Sequence, residues 1–185
     1  MIIGVTGGSG TGKSSIARAL GGVVIDADAV YHELLAGCTA LRSELVFAFG
    51  TCERSGLAEV VFADPVKLEQ LNVIAHKYVL EEVERRLAEL RNSGERIIID
   101  APLLFEAGCD SKCDVTVAML ADTEVRIGRV MQRDEISRER AVQRISAQPN
   151  DAFYTERATF TVNNNGAVAE TTKQVLALLG GFLGH

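Results

Sequence analysis

The chain has 185 residues, and its 47% hydrophobic and 24% charged residues are ordinary for a globular protein, which excludes a disordered or low-complexity chain. Its 19 Lys and Arg against 25 Asp and Glu give a net charge of −6, which disfavours binding to nucleic acid or to an anionic membrane, because both require a broad basic surface. The absence of tryptophan and the 5% aromatic content also disfavour a base-stacking platform, and the length suits one domain.

The first 26 residues are predicted to form a strand, a glycine-rich loop, a helix and a second strand. Residues 2–6 are a short apolar run, and Ile16 and Leu20 lie four apart in the helical stretch 13–20. Residues 23–25 predict a buried strand that ends at Asp26.

Further along the chain, residues 97–99 and 115–119 predict two more buried strands, and residues 160–162 predict a weaker one. Runs that are continuously apolar rather than alternating indicate a sheet covered on both faces. Helical stretches separate the strands, which favours βαβ units with right-handed crossovers. The predicted fold is therefore α/β, a three-layer α/β/α domain with a mainly parallel five-stranded sheet.

The longest predicted helix begins at Asp64 and Pro65, an N-cap followed by proline at the first helical position, and ends at Ser93-Gly94. The pattern is compatible with a break or bend near His76. Its apolar stripe comprises Leu68, Leu71, Ala75, Tyr78, Val79, Val83, Leu87 and Leu90. A closing helix has its apolar positions at Val168, Val175, Leu178 and Leu179.

Residues 7–14 read Gly7-Gly8-Ser9-Gly10-Thr11-Gly12-Lys13-Ser14 and match the phosphate-loop pattern G-x-x-x-x-G-K-[ST]. The glycines let backbone N–H groups wrap around a phosphate, while the lysine reaches the β- and γ-phosphates and the following hydroxyl ligates Mg²⁺. The predicted ligands are ATP and Mg²⁺. The predicted ATP-binding residues of this segment are Gly8, Gly10, Thr11, Gly12, Lys13, Ser14 and Ser15.

Three carboxylates follow predicted strands, at the sheet edge where ligands bind in parallel α/β proteins. Asp26 and Asp28 follow the second strand, and either could accept the proton of an attacking hydroxyl; the alternative for Asp28 is to cap the helix that follows. Asp100 follows the third strand and, with Ser14, is a candidate Mg²⁺ ligand, or else simply begins the turn into Pro102.

Residues 126–144 form a basic segment, with six arginines against three acidic residues and hence a net charge of +3. Two short helices are predicted there, with Ser137 as the N-cap of the second. An arginine-bearing helical pair above a phosphate loop would be a lid that excludes water and stabilises the transferring phosphoryl charge. The alternative is a solvated helical face held by pairs such as Asp134–Arg138.

Six motifs extend over nearly the whole chain: Thr6 with the phosphate loop through Ser14, Ile25-Asp26-Ala27-Asp28, Pro102-Leu103-Leu104-Phe105-Glu106, Gln132-Arg133-Asp134, Arg144-Ile145-Ser146-Ala147-Gln148 and Asn164-Asn165-Gly166. In this order and spacing they resemble the dephospho-coenzyme A kinase family. The resemblance implies a nucleotide-kinase-like core that phosphorylates the ribose 3′-hydroxyl of dephospho-coenzyme A with ATP. It also implies a single domain over residues 1–185, with an acceptor-binding helical region at about 29–95 and a lid at about 126–157.

The resemblance also assigns roles to individual residues. It implies that Asp28 is the general base, that Lys13 clamps the phosphates and that Asp26 is structural. It places Arg138 and Arg144 near ATP in the lid and Asn164 at the adenine pocket. On the acceptor side it places Arg54, His76, Leu103 and Glu106.

The chain departs from the family pattern on the acceptor side. The region between Gly37 and Leu57 is several residues shorter than usual, Lys77 stands where proline usually follows the histidine, and Thr159 replaces an aspartate. None of these changes touches the phosphate loop or Asp28, so we expect activity to survive.

Three other functions compete with this interpretation: a different small-molecule or nucleotide kinase with the same core, a nucleotide-operated switch, and an NTP-binding module without catalysis. A switch usually carries a guanine-reading N-K-x-D motif, which the sequence lacks, and the intact Lys13, Ser14 and Asp28 disfavour a degenerate module.

The N-terminus and the cysteines predict a cytoplasmic protein with small-molecule partners. The chain has no basic and apolar signal segment, and no pair of cysteines has C-x-x-C spacing. We expect free thiols, with a Cys109–Cys113 disulfide as the less favoured alternative. His32 and His185 have no metal-ligand partners at useful spacing.

Overall fold

The computed structural model describes residues 1–61 and 64–183. His185, which the sequence gives no metal-binding role, lies outside the described residues. Within them, no single helix is long and apolar enough to span a membrane. The segments Ala27–Gly37 and Thr39–Val61 reach the required length and apolar content only when taken together, and an 84° bend separates them.

Five parallel strands form one sheet: β1 (Ile2–Thr6), β2 (Val23–Asp26), β3 (Ile97–Asp100), β4 (Val115–Leu120) and β5 (Phe160–Asn163). Their order is β2-β3-β1-β4-β5, so the strand that precedes the phosphate loop is central. The predicted five-stranded parallel sheet is confirmed, and each strand begins where the apolar pattern placed it.

The described helices are α1 (Lys13–Ala19), α2 (Ala27–Gly37), α3 (Thr39–Phe49), α4 (Arg54–Val61), α5 (Pro65–Leu90), α6 (Thr123–Asp134), α7 (Arg138–Ser146), α8 (Asp151–Thr155) and α9 (Val168–Leu183), with a 3-10 turn at Cys109–Lys112. Ile16 of α1 and Val175 of α9 pack on one sheet face. Val30 of α2 and Val83 of α5 pack on the other. The predicted three layers follow from this alternation, because successive strand residues point to opposite faces.

Helix α5 runs unbroken for 26 residues, so no break occurs near His76. Its N-cap is as predicted, because the Asp64 carboxylate accepts hydrogen bonds from the N–H groups of Val66 and Lys67. Leu68 is 44% exposed, so the predicted apolar stripe is wrong there. At about 1.5 Å per residue the helix is far longer than the strands, and its first turns extend beyond the sheet.

Helices α3 and α4 are not resolved by the sequence patterns, and they form a small core of their own beside α5. Leu41 and Leu45 of α3, Leu57 of α4 and Ile74 of α5 are buried against one another. Helices α3 and α4 both contact α5, and α3 also contacts α2, the helix that follows β2.

The basic segment forms the two predicted helices, α6 and α7, and Ser137 caps the second by accepting a hydrogen bond from the Arg140 N–H. The suggested Asp134–Arg138 pair is wrong. Arg138 instead forms a two-bond ion pair with Glu124, because Glu135 ends α6 in a left-handed conformation (φ 52°) that turns α7 back against α6.

All four cysteines are free thiols. Burial raises the pKa of Cys109 to about 11 and that of Cys113 to about 12, so both remain protonated near neutral pH. The alternative of a Cys109–Cys113 disulfide is therefore not what the structure contains.

Candidate active site

The phosphate loop connects β1 to α1 and requires glycine at the positions that the motif specifies. Gly10 and Gly12 have φ values of +81° and +85°, which side chains disfavour. A Cβ atom at Gly12 would lie 2.3 Å from Nδ2 of Asn164, and one at Gly10 would lie 2.6 Å from the carbonyl oxygen of Arg126. At both positions, any other residue would be strained by the backbone conformation and would collide with Arg126 or Asn164.

Four side chains from distant parts of the chain hold the loop. Asn164, 1% exposed, donates from Nδ2 to the Thr11 carbonyl at 2.8 Å and accepts from Thr171 Oγ1 at 2.9 Å. Arg126 Nε donates to the Ser9 carbonyl at 3.0 Å, and Arg129 donates to the Gly10 carbonyl at 3.2 Å. Gln148 accepts from the Ser9 N–H at 2.7 Å. These bonds fix the course of the loop before any ligand binds.

A cavity of about 710 Å³ opens in front of the loop. It is lined by Gly8, Ser9, Gly10, Gly12, Lys13, Ser14, Ser15, Arg18, Asp28, Pro102, Arg129, Arg133, Gln148, Asn164 and Val168. Of the predicted ATP-binding loop residues, Thr11 alone does not line it, because its hydroxyl turns inward to the Gly8 carbonyl at 2.8 Å.

Lys13 brings the two predicted metal ligands together. Its Nζ lies 3.3 Å from Asp100 Oδ1 and 3.3 Å from Ser14 Oγ. Asp100 is 2% exposed, and apart from this ion pair its Oδ1 has no hydrogen-bond partner among the described residues. A hydroxyl and an underused carboxylate suit Mg²⁺, which takes few protein ligands and obtains the rest from phosphates and water. The described residues contain no group of three or more His, Cys, Asp or Glu side chains placed to hold a metal.

Asp26 and Asp28 have separate positions. Asp26 is the N-cap of α2 and accepts a hydrogen bond from the Ala29 N–H at 3.0 Å, so the suggestion that Asp28 caps this helix is wrong. Asp28 lies in the first turn and lines the cavity. Burial raises the pKa of Asp28; the Lys13 charge opposes this rise, and the carboxylates of Asp26 and Asp100 add to it. Asp28 therefore has the placement and the raised basicity of a proton acceptor.

A second, apolar cavity of about 160 Å³ lies between α2, α5 and the turn after β3. It is lined by Ala27, Asp28, Tyr31, Leu71, Asn72, Ala75, His76, Val79, Ala101, Pro102, Leu103, Ala107 and Cys109. Asp28 and Pro102 line both cavities and mark their junction. Burial lowers the pKa of His76, which favours its neutral form.

The other predicted acceptor-side residues lie further out. Arg54 begins α4, is exposed and lines neither cavity, although its charge opposes the rise that burial causes in the pKa of Tyr31. Glu106 is exposed and also lines neither cavity; partial desolvation raises the pKa of its carboxyl. The structure thus unites Asp28, His76 and Leu103 and leaves Arg54 and Glu106 outside this group.

The arginines that reach the phosphate-loop cavity are not the two predicted from the lid. Arg138 and Arg144 do not line it, and their guanidinium groups pair with Glu124 and Asp134. Arg129 and Arg133 line it instead. The sequence groups these arginines but carries no signal that ranks them, because Arg126 and Arg129 contact loop residues 117 and 119 positions away.

Residues 1–170 match the family model described as dephospho-CoA kinase. Similar curated proteins are the dephospho-CoA kinase of Moorella thermoacetica, 36% identical over 95% of this chain and 89% of that protein, and that of Geobacter metallireducens, 37% identical over 96% and 94%.

Solved structures share the architecture of this chain. The crystal structure of TT1252 from Thermus thermophilus is 31% identical and superposes with a TM-score of 0.79 over 98% of this chain and 97% of that one. A shikimate kinase from Acinetobacter baumannii, 17% identical with a TM-score of 0.58 over 97% and 93%, shares the fold.

Proposed function

This chain belongs to the dephospho-CoA kinase family, and from that premise we propose how its residues transfer the γ-phosphate of ATP to the ribose 3′-hydroxyl of dephospho-coenzyme A. This transfer is the final step of coenzyme A biosynthesis. The observation that carries the proposal is the position of Asp28, which lines both the phosphate-loop cavity and the apolar cavity.

ATP binds in the larger cavity and the acceptor ribose enters at the junction. The 3′-oxygen attacks the γ-phosphorus in line, a new P–O bond forms, and the bond from that phosphorus to the bridging oxygen of ADP breaks. Asp28 accepts the proton that the hydroxyl loses. Both products, ADP and the phosphorylated acceptor, then leave on the sides from which their precursors came.

Cationic side chains hold the charge of the transferring group. Lys13 spans the loop and the carboxylate of Asp100, and Arg129 and Arg133 line the same cavity. Ser14 and Asp100 are the residues that would hold Mg²⁺, whose bound charge would neutralise the β- and γ-phosphate oxygens. The loop N–H groups and α1 supply further positive potential.

On the acceptor side, the proposal assigns residues 29–95 to substrate binding. The apolar cavity at His76 and Leu103 suits the less polar part of a long acceptor. Arg54 and Glu106 lie outside the cavity and would contact the acceptor only where it extends beyond it.

The proposal assigns residues 126–157 to a lid. Arg138 and Arg144 are about half exposed and paired with carboxylates, so contact with ATP would require α7 to move and exchange these partners. The Asn164 carboxamide is hydrogen-bonded to Thr11 and Thr171. Asn164 would therefore contribute to adenine binding mainly by holding the phosphate loop in place.

Small-molecule reactants and a cytoplasmic location complete the proposal. Four free thiols support this location, and a net charge of −6 disfavours nucleic-acid or membrane partners.

The test is ADP release by purified protein with Mg·ATP, with dephospho-coenzyme A compared against AMP, adenosine, other nucleoside monophosphates and no acceptor. We expect rapid release only with dephospho-coenzyme A, and a phosphorylated 3′-position in the product. Equal or faster release with another acceptor would overturn the substrate assignment, and acceptor-independent release would overturn the transfer mechanism.

A further inference from the structure

Gln148, which follows α7, has a carboxamide whose orientation is set by the phosphate loop. The Ser9 N–H donates to Oε1 at 2.7 Å. The opposite orientation would place the amino group of Gln148 against the Ser9 N–H, which is also a donor. The contact therefore assigns the positions of Oε1 and Nε2 in the carboxamide. The Nε2 amino group therefore lies on the side away from the Ser9 N–H, and it makes no hydrogen bond to the part of the chain that the structure describes.

Ser9 itself is held on both of its peptide groups. While Gln148 accepts from its N–H, Arg126 Nε donates to its carbonyl at 3.0 Å. Arg126 is 6% exposed and also pairs with Asp151 at 3.5 Å, so it provides a firm support behind the loop. The free amino group of Gln148 is consequently presented from a fixed place rather than from a mobile side chain.

The position of Ser9 along the loop indicates which phosphate this amino group meets. Lys13 and Ser14 stand where the loop enters α1, and the backbone N–H groups there cradle the α- and β-phosphates, whereas the long Lys13 side chain reaches on to the β- and γ-phosphates. Ser9 lies toward the other end of the loop, and Gln148 lines the same cavity as Asp28 and Pro102, where the acceptor enters. The amino group thus lies on the side of the terminal phosphate.

We propose that Gln148 is a further ATP-binding residue, whose Nε2 amino group donates a hydrogen bond to the terminal phosphate and so favours ATP over ADP. The inference rests on the proposed function of this cavity. A donor to a charged oxygen in a partly enclosed site contributes enough for about a tenfold difference in affinity.

The test compares dissociation constants for Mg·ATP and Mg·ADP by titration calorimetry, without any acceptor. Gln148→Leu removes both ends of the amide. Gln148→Glu keeps an oxygen for the Ser9 N–H but replaces the donor by an acceptor. Gln143→Leu is the matched control, because Gln143 lies on α7, is exposed and makes no side-chain hydrogen bond within the described ranges.

We expect Gln148→Leu to weaken ATP binding about tenfold and ADP binding much less, with a larger loss of ATP preference in Gln148→Glu and none in Gln143→Leu. Equal losses for ATP and ADP, or no loss, would overturn the proposal. If the Leu variant fails to fold, the Glu variant decides, since an unchanged ATP preference there would also overturn it. Failure of the wild type to phosphorylate dephospho-coenzyme A would be a separate result, because the binding comparison uses no acceptor.

Discussion

At the scale of single residues, Asp26 and Asp28 are two positions apart and yet differ in surroundings. Asp26 is in extended conformation at the N-cap, so its carboxylate turns back to the Ala29 N–H. Asp28 is already helical and lines the junction of the two cavities. The start of α2 between them is what separates a capping carboxylate from a proton acceptor.

Asp28→Asn removes the proton acceptor without changing the size of the side chain. We expect kcat to fall by about 100-fold or more, because general base catalysis contributes at least that much, while the dissociation constant for Mg·ATP stays within about threefold. Steady-state kinetics and calorimetry measure the two quantities. Asp122→Asn, at an exposed position whose side chain makes no capping bond, is the control, and near-normal turnover in Asp28→Asn would remove Asp28 from the mechanism.

The pH profile of the reaction should depend on Asp26. Asp28 accepts a proton only as a carboxylate, so kcat/KM falls as pH falls through its raised pKa. Burial is the main cause of the raised pKa of Asp28, and the charge of Asp26 adds to it. Asp26→Asn removes that charge and keeps a good N-cap, so the acidic limb of the profile should move to lower pH. A limb that moves upward or stays in place would contradict this.

At the scale of elements, the phosphate loop is stabilised less by its own residues than by neighbouring elements. Arginines of α6 donate hydrogen bonds to the carbonyls of Ser9 and Gly10. The side chain of Gln148, after α7, accepts from the Ser9 N–H, and that of Asn164, after β5, donates to the Thr11 carbonyl. A loop that must keep its N–H groups free for phosphate is held instead largely by its carbonyls. Two loop N–H groups are nevertheless engaged: that of Thr11 donates to the Gly8 carbonyl at 3.3 Å, and that of Ser9 donates to Gln148 and so fixes the position of this side chain.

Asn164→Ala would leave the Thr11 carbonyl without the Asn164 donor and the buried Thr171 hydroxyl without that acceptor. We expect unfolding free energy to fall by about 1–3 kcal/mol and Mg·ATP affinity to fall with it, because the loop loses its support beside Gly12. Urea denaturation and calorimetry measure both. Asn163→Ala, at an exposed position one residue earlier, should change neither; equal effects at the two positions would contradict the role given to Asn164.

At the scale of the whole molecule, the sheet order brings the reacting groups together. Strand β1 lies beside β3, and β3 lies beside β2, so the carboxyl ends of three neighbouring strands deliver the phosphate loop, Asp100 and Asp28 to one edge. Helices α2 and α5 enclose the acceptor cavity on one side of this edge, and α6 braces the loop on the other. The site therefore lies at the carboxyl edge of the sheet, between the helices that cover its faces.

Ligand binding at this central place should stabilise the whole domain. At Mg·ATP concentrations 100 times the dissociation constant, the stabilisation is about 2.7 kcal/mol, or roughly 5–10 °C in Tm for a chain of this size. Lys13→Ala should lose most of this shift, since Lys13 contacts both Ser14 and Asp100. Lys173→Ala, an exposed lysine on α9, should keep it, and an unreduced shift in Lys13→Ala would contradict the assigned role. Thermal denaturation with and without Mg·ATP measures this.

The sequence by itself determined the five strands, the phosphate loop, the N-cap of α5 at Asp64 and the cap at Ser137, because these depend on residues close together in the chain. It also determined the family, through the order and spacing of six short motifs along the chain. It did not resolve α3 and α4, whose mixed apolar pattern becomes meaningful only against α5. Only the tertiary structure decided which lid-segment side chains reach the loop. Arg126, Gln148 and Asn164 bond residues 117, 139 and 153 positions away, and no spacing along the chain encodes such contacts. Arg138 and Arg144 have the same charge as Arg129, and only the path of the backbone after Glu135 sets them apart.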